Sequence, residues 1–260
     1  MRSAISNRLT FDEQVNLGLW PEARFVEKFG RNSDLTINSV PEDVWDLGGL
    51  YTGFPEESET VDIVSTSTAD ASGGAGALSV TISGLGDDWL PASETVALTG
   101  TVAVTSGQLW RRVNRVFVET AGSSGANVGD ITVAHTTTTA NVFASVPAGQ
   151  GQTTIAAFTV AAGYVAVVSA MSILLTRTSG AAGSAVVSLR AREPGTGSWR
   201  SRLVFDVTTG FAVYQDTAAL VFPEKTDLVV RVDDVSDNAT ACNSHLDILE
   251  FLDAELALDR

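Results

Sequence analysis

LSVTIS, residues 78–83, sets the reading of the whole chain. Successive side chains of an extended strand point to opposite faces, so Leu78, Val80 and Ile82 share one face while Ser79, Thr81 and Ser83 share the other. That is the signature of a strand with one side on a core and one toward water. The rhythm continues outward through ETVDIVSTS, SETVALTG, VAVTSGQLWRR, RVFVETA and GDITVAH, each bounded by Gly, Asn, Asp or Pro. Further along, TIAAFTV, YVAVVSAMSILLTR, SAVVSLRARE, WRSRLVFDV, FAVYQDT, TDLVVRVDD and HLDILEFLD repeat it. Short strands at regular spacing predict sandwiches or barrels.

The expectation is an all-β protein of two β-sandwich domains, residues 55–145 and 146–260, the second jelly-roll-like. A low-complexity bridge, HTTTTANVFASVPAGQGQTT (135–154), marks the boundary between them. Phe158 to Leu175 is the most apolar run, and Gly163, Tyr164 and Ser169 interrupt it, so it reads as a strand pair around an Ala-Ala-Gly turn and not as a membrane span. Residues 1–54 stand apart as an extended N-terminal arm. They hold seven of the nineteen aromatics, among them Phe11, Trp20, Phe25, Phe29, Trp45 and Tyr51. Such a segment either wraps onto its own chain or docks into another, and those six rings are the candidate docking residues.

Net charge is −15, and residues 32–110 contain twelve acids with no Lys or Arg. Lys28 and Lys225 are the only lysines. Such a chain is a poor partner for nucleic acid or anionic membrane, both of which call for a basic face. The amino terminus lacks a continuous apolar core of signal-peptide length, and the single Cys242 suits a reducing compartment and reads as a buried thiol.

Against that acidity the arginines stand out. Arg111, Arg112 and Arg115 sit inside a strand pattern, with the acidic segment as their expected partner within the chain or across a subunit contact. Arg190 with Arg192, and Arg200 with Arg202 beside Trp199, alternate so that each pair shares a face. Such a face either pairs with acids or presents guanidinium and indole to a sugar or aromatic ligand. DDVSDN offers Asp233, Asp234, Asp237 and Asn238 as a calcium candidate, without the spacing of a helix-loop-helix calcium loop. Glu56 with Glu57, and Asp87 with Asp88, are adjacent carboxylates on loops, which usually point apart. His135 and His245 form no motif with Cys242, and the glycines at 73, 74, 76, 122, 125 and 129 are turn formers with no lysine-bearing phosphate loop after them. No nucleophile elbow, zinc spacing or nucleotide motif occurs, so no enzyme activity, cofactor or metal is expected.

EKFGRN, PEDVWDLGGLYTGFP, ETVDIVSTSTADASGGAGALSVTISGLGDDW, RRVNRVFVETAGSSGANVGDITV and VPAGQGQTTIAAFTVAAGYVAVVSAM, in that order, resemble a group of tailed-bacteriophage virion proteins frequent in phages of marine bacteria. The likeness spans most of residues 27–175; the carboxy-terminal third matches only in texture. The resemblance implies a non-enzymatic structural component of the virion, in the head, neck, or a fibre, spike or decoration protein. Its implied partners are other virion proteins (capsid, portal, neck or tail) and further copies of itself, with a trimer as the first expectation. No functional residue carries over from the family. The alternative is a host-surface glycan-binding module that uses Trp199 and the arginines at 190, 192, 200 and 202.

Overall fold

The computed structural model describes residues 9–253 except 178 and 181. A short helix, α1 (Phe11–Asn16), opens on a capping box in which Thr10 accepts from the Glu13 amide and the Glu13 carboxylate takes the Thr10 amide. Strands follow. β1 (Ala23–Leu35) and β2 (Glu42–Asp43) lead into β3 (Val61–Ser65), β4 (Ala77–Gly86), β5 (Pro91–Ala97), β6 (Val104–Thr105), β7 (Trp110–Ala121), β8 (Ile131–His135) and β9 (Val142–Val146). Then come β10 (Ala157–Thr159), β11 (Tyr164–Arg177), β12 (Ser184–Arg192), β13 (Arg200–Thr208), β14 (Gly210–Phe222), β15 (Asp227–Val235) and β16 (Thr240–Leu252). The protein is all-β, and its sheets are antiparallel.

Two sheets use the chain's ends and its second half, in the orders β1-β16-β11-β14 and β10-β15-β12-β13, with β2 also on β15. Their buried side chains, including Leu35, Val168, Met171, Ile173, Leu189, Phe222, Val230 and Ile248, form one hydrophobic cluster. The other two sheets, β6-β3-β8-β9 and β5-β4-β7, share a second cluster built on Ile63, Val80, Ile82, Trp110, Ile131 and Phe143. Burial of these apolar faces is the main stabilising term.

The opening stretch behaves as its alternation predicts, with one change. Val80 and Ile82 are fully buried in β4, but the register slips on either side of Ser79 against β7, so Ala77 enters the core and Leu78 is only half-buried. An extra residue in a strand moves a side chain to the other face.

The N-terminal arm expectation requires correction. Ala23–Leu35 is a sheet strand paired along its length with β16, the chain's last strand. Trp45 and Tyr51 lie in the second cluster, and β2 pairs with β15. The segment wraps onto its own chain because its rings find an apolar home there. Gly30 records how close that wrapping is: a Cβ on it would lie 2.3 Å from the Val44 carbonyl and 2.4 Å from the Ala156 amide.

The bridge 135–154 is also not a linker. It contains β9, whose Phe143, Ala144 and Val146 are buried. The Ala161-Ala162-Gly163 turn does separate two strands, but β10 and β11 belong to different sheets and do not pair with each other.

Candidate functional site

The junction between the two clusters gathers the most chemistry. β7 brings Arg112 from the unit built on the second cluster; β12 and β15 bring Arg192 and Asp227 from the unit built on the other. Phe54 and Glu56 arrive on the segment before β3, Trp89 on the turn between β4 and β5, and Trp199 on the approach to β13.

Asp227 is the centre. Its Oδ1 accepts from Arg112 Nε at 2.9 Å and Thr159 Oγ1 at 2.6 Å. Its Oδ2 accepts from Arg112 Nη2 at 3.1 Å and from Arg192 Nε and Nη2 at 3.1 and 2.7 Å. Arg112 and Asp227 are both buried. Arg112 Nη1 donates to the carbonyls of Pro55 and Arg111, each at 2.7 Å, and Arg192 Nη2 also donates to the Phe54 carbonyl at 3.2 Å. Each planar guanidinium thus has its fork filled, as a buried arginine requires.

Aromatic rings cover the charges. Arg112 lies over Trp89 at 4.8 Å and Phe54 at 5.5 Å; Arg192 lies over Trp199 at 5.2 Å and Phe54 at 5.8 Å. Phe54 touches Trp199 at 5.3 Å and continues through Tyr51 to Trp45, a ladder of rings running into the second cluster. Tyr51 donates its hydroxyl to the Phe143 carbonyl at 2.8 Å, and burial holds its phenol far above the ordinary range. Trp89 takes a left-handed backbone (φ 64°), and its carbonyl accepts from Ala162 N at 3.0 Å, a further tie between the units. Beside this cluster lies a cavity of about 340 Å³ bordered by Trp89, Arg112, Arg192, Glu193, Lys225 and Asp227.

Chemically, Asp227 is committed to its donors and has no lone pair facing the cavity unshared. The arrangement is suited to clamping two units and to presenting ring and guanidinium faces to a polar ligand.

The expected arginines divide. Arg112, Arg192 and Trp199 meet here. Arg111 pairs with Asp87 at 2.9 Å, a partner from the acidic segment, but Arg112 finds Asp227 instead, and Arg115 lies over the Phe29 ring at 5.0 Å. Arg190 pairs with Asp233 and Arg202 with Glu193, while Arg200 is exposed. A register slip between Leu189 and Arg190 places Arg190 opposite Ser201 and Ala191 opposite Arg200, so the four arginines form no single ladder.

The expected calcium residues disperse: Asp233 goes to Arg190 and Ser188, Asp237 to Arg177, and Asp234 caps the Val235 amide. A half-exposed group of Glu27, His245 and Asp247, ligand atoms within 4.8 Å of one another, was not singled out by sequence. Cys242 is buried, as expected of a structural thiol, and burial pushes it up to about 12. Sequence reasoning also missed Asp227 and Trp89. The one signal for Asp227 was an acid directly before the apolar run Leu228-Val229-Val230, and for Trp89 a tryptophan directly after two aspartates in a turn.

No family model matches the chain, and no curated protein matches it. Among solved structures, two of infectious bursal disease virus T=1 particles, one of them carrying a mutant VP2 protein, align over 92% of this chain and 80% of theirs. Identity is 9% and 8%, with TM-scores of 0.14 and 0.13, and at that level the alignments carry no argument. No helix among the described residues is long and apolar enough to cross a membrane.

Proposed function

We propose that the chain is a non-enzymatic structural component of a tailed-phage virion, built as a jelly roll with a second sandwich inserted between its first two strands. Numbering β1 and β10–β16 as eight successive strands gives sheet orders 1-8-3-6 and 2-7-4-5, the jelly-roll arrangement. Jelly rolls also build lectins and cupins, so fold is an analogy and the surface must supply the function.

The observation that carries the reading is an apolar open edge. β13 and β14 end their sheets, and Val204, Phe211, Val213 and Val221 on them are 60%, 67%, 52% and 52% exposed. Open strand edges with large exposed apolar side chains are an aggregation liability in a monomer and an interface in an assembly. The partners on this reading are further copies of the chain and neighbouring virion proteins.

Docking through the amino terminus contracts to its first turn. Trp45 and Tyr51 are spent inside the chain, whereas Phe11, Leu17 and Leu19 on and after α1 are exposed, with Trp20 against Phe11 at 5.5 Å. Removing residues 1–20 therefore leaves a folded protein that no longer enters particles. Quantitative mass spectrometry of purified virions is the direct test. A stoichiometric band supports the structural role, and absence of the chain ends it.

A second reading, host-glycan recognition, is favoured by the meeting of Trp199, Arg192 and Trp89 at the 340 Å³ cavity. Unchanged host adsorption and glycan-array silence in a Trp199→Ala, Arg192→Gln protein would remove it.

A further inference from the structure

A second cleft, of about 470 Å³, lies where β1 passes β4 and β7. Its walls include Phe25, Leu85 and Phe158, and its charged groups are Arg24, Glu27, Lys28 and Arg115, with Asn114 beside them. Clefts of roughly 300–1,000 Å³ with mixed walls and a few placed polar groups are the usual small-molecule sites.

Two cations mark this cleft. Eight arginines of the described residues, at 24, 111, 112, 177, 190, 192, 202 and 231, have a carboxylate within ion-pair distance. Arg115, like Arg31 and Arg200, has no such ion pair among the described residues, and its guanidinium rests on the Phe29 ring at the cleft. Lys28, 6% exposed, has three ammonium donors and places one on the Asn114 carbonyl.

Two neighbouring cations with no carboxylate within ion-pair distance are costly in a partly dry site. Burial, and then Arg115, hold Lys28 down to about 7. The other charges around it are already engaged. Arg24 pairs with Glu250 at 2.5 Å, and Glu27, which also lines the cleft, has its carboxylate grouped with His245 and Asp247 of β16 and not within ion-pair distance of Lys28 or Arg115. Among the described residues no carboxylate lies within ion-pair distance of Lys28 or Arg115, which leaves room for an anion from outside to complete the pair.

We propose that this cleft binds a small organic acid, its carboxylate held between the Lys28 ammonium and the Arg115 guanidinium and its body against Phe25, Leu85 and Phe158. The inference is independent of the virion reading. It uses a different cavity from the Trp199 cluster, and either can fail alone.

Because the chain has only two lysines, Lys225 is an internal control. The full-length protein is pulsed with an acetylating ester at pH 7, and the Lys28 to Lys225 labelling ratio is read by peptide mass spectrometry with glucuronate, glucose or inorganic sulfate present. An anion that moves Lys28 from about 7 to about 8 cuts its neutral, reactive fraction about fivefold. Saturable protection of Lys28 of that size by glucuronate, with Lys225 unchanged, is the expected result. It is lost in Arg115→Gln and kept in part by Arg115→Lys, both checked for parental Tm. The Asn114 and Arg115 amide signals, followed by NMR in the same titrations, report binding even where Lys28 acylates too slowly to follow. No saturable response in either readout overturns the proposal. So does equal protection by glucose, which would remove the acid from recognition, or by sulfate, which would leave only a bare anion hole.

Discussion

Arg112 and Asp227 meet in a buried, two-pronged ion pair, Nε to Oδ1 at 2.9 Å and Nη2 to Oδ2 at 3.1 Å, although 115 residues separate them and their chain neighbours Val113 and Leu228 belong to different hydrophobic clusters. Arg192 closes on the same carboxylate, so one aspartate locks both units. Removing a partner from a buried pair costs about 3–5 kcal/mol, because an uncompensated charge stays behind. Asp227→Ala orphans two arginines and should lose the full amount; Arg112→Met leaves Asp227 with Arg192 and should lose clearly less. Urea unfolding measures both, and equal losses would refute the shared-carboxylate account. Calorimetry of Asp227→Ala should also show the single transition broadening or splitting as the units uncouple.

Gly30 makes a sharper steric prediction. Its neighbours at 2.3 and 2.4 Å from a built Cβ are main-chain atoms of Val44 and Ala156, which cannot rotate away. Gly30→Ala should cost about 3 kcal/mol, a fall of roughly 6–12 °C in Tm for a domain of this size. Gly49, with open space around its Cβ position, is a control for general glycine loss, although its left-handed φ of 67° adds modest strain.

The all-β class was legible because alternation is local: Val80 and Ile82 report a face without knowing what covers it. The chain's closure was not. Pairing β1 with β16 joins Ala23 to Phe251, and no local pattern carries a contact of that span. The aromatic arm misled for a related reason. Trp45 and Tyr51 announced burial correctly, but burial against another chain and burial against strands a hundred residues downstream have the same sequence signature. Of the site, the arginines and Trp199 were visible as charge and indole in strands, whereas their convergence on Asp227 depends on how the two units sit. The register slip between Leu189 and Arg190, which breaks the expected ladder, is set by cross-strand packing and leaves no mark in SLRAR.

The open edge gives a test of assembly. Phe211 and Val213 alternate on β14 with Ala212 and Tyr214, which pack toward the first cluster, so the outward pair can change without touching the core. Phe211→Lys with Val213→Lys should leave the unfolding midpoint within about 1 kcal/mol of the parent, since exposed sites tolerate substitution. Light scattering should then show a multimer reduced to a monomer. A parent that is monomeric at all concentrations would sink the edge as an interface.

Lys28 supplies the pH prediction. Its amine sits near 7 in the folded chain, below its ordinary value of 10.5, because burial and the Arg115 charge disfavour the ammonium. The unfolded chain therefore binds more protons between those two values, and stability contributed by this group rises with pH across that window. Below about pH 7 both states are protonated and the full penalty applies; above about pH 10.5 both are neutral and it vanishes. Lys28→Met, which keeps the stem and drops the charge, should be more stable than the parent by about 4 kcal/mol at pH 6, the charge penalty less the lost hydrogen bond. That advantage should shrink steadily toward pH 10, where it becomes a small deficit from the lost bond to the Asn114 carbonyl. Urea midpoints at four or five pH values decide it. A constant difference between the two proteins would mean that the amine is solvated in the folded chain, and the charge argument for the cleft would fall with it.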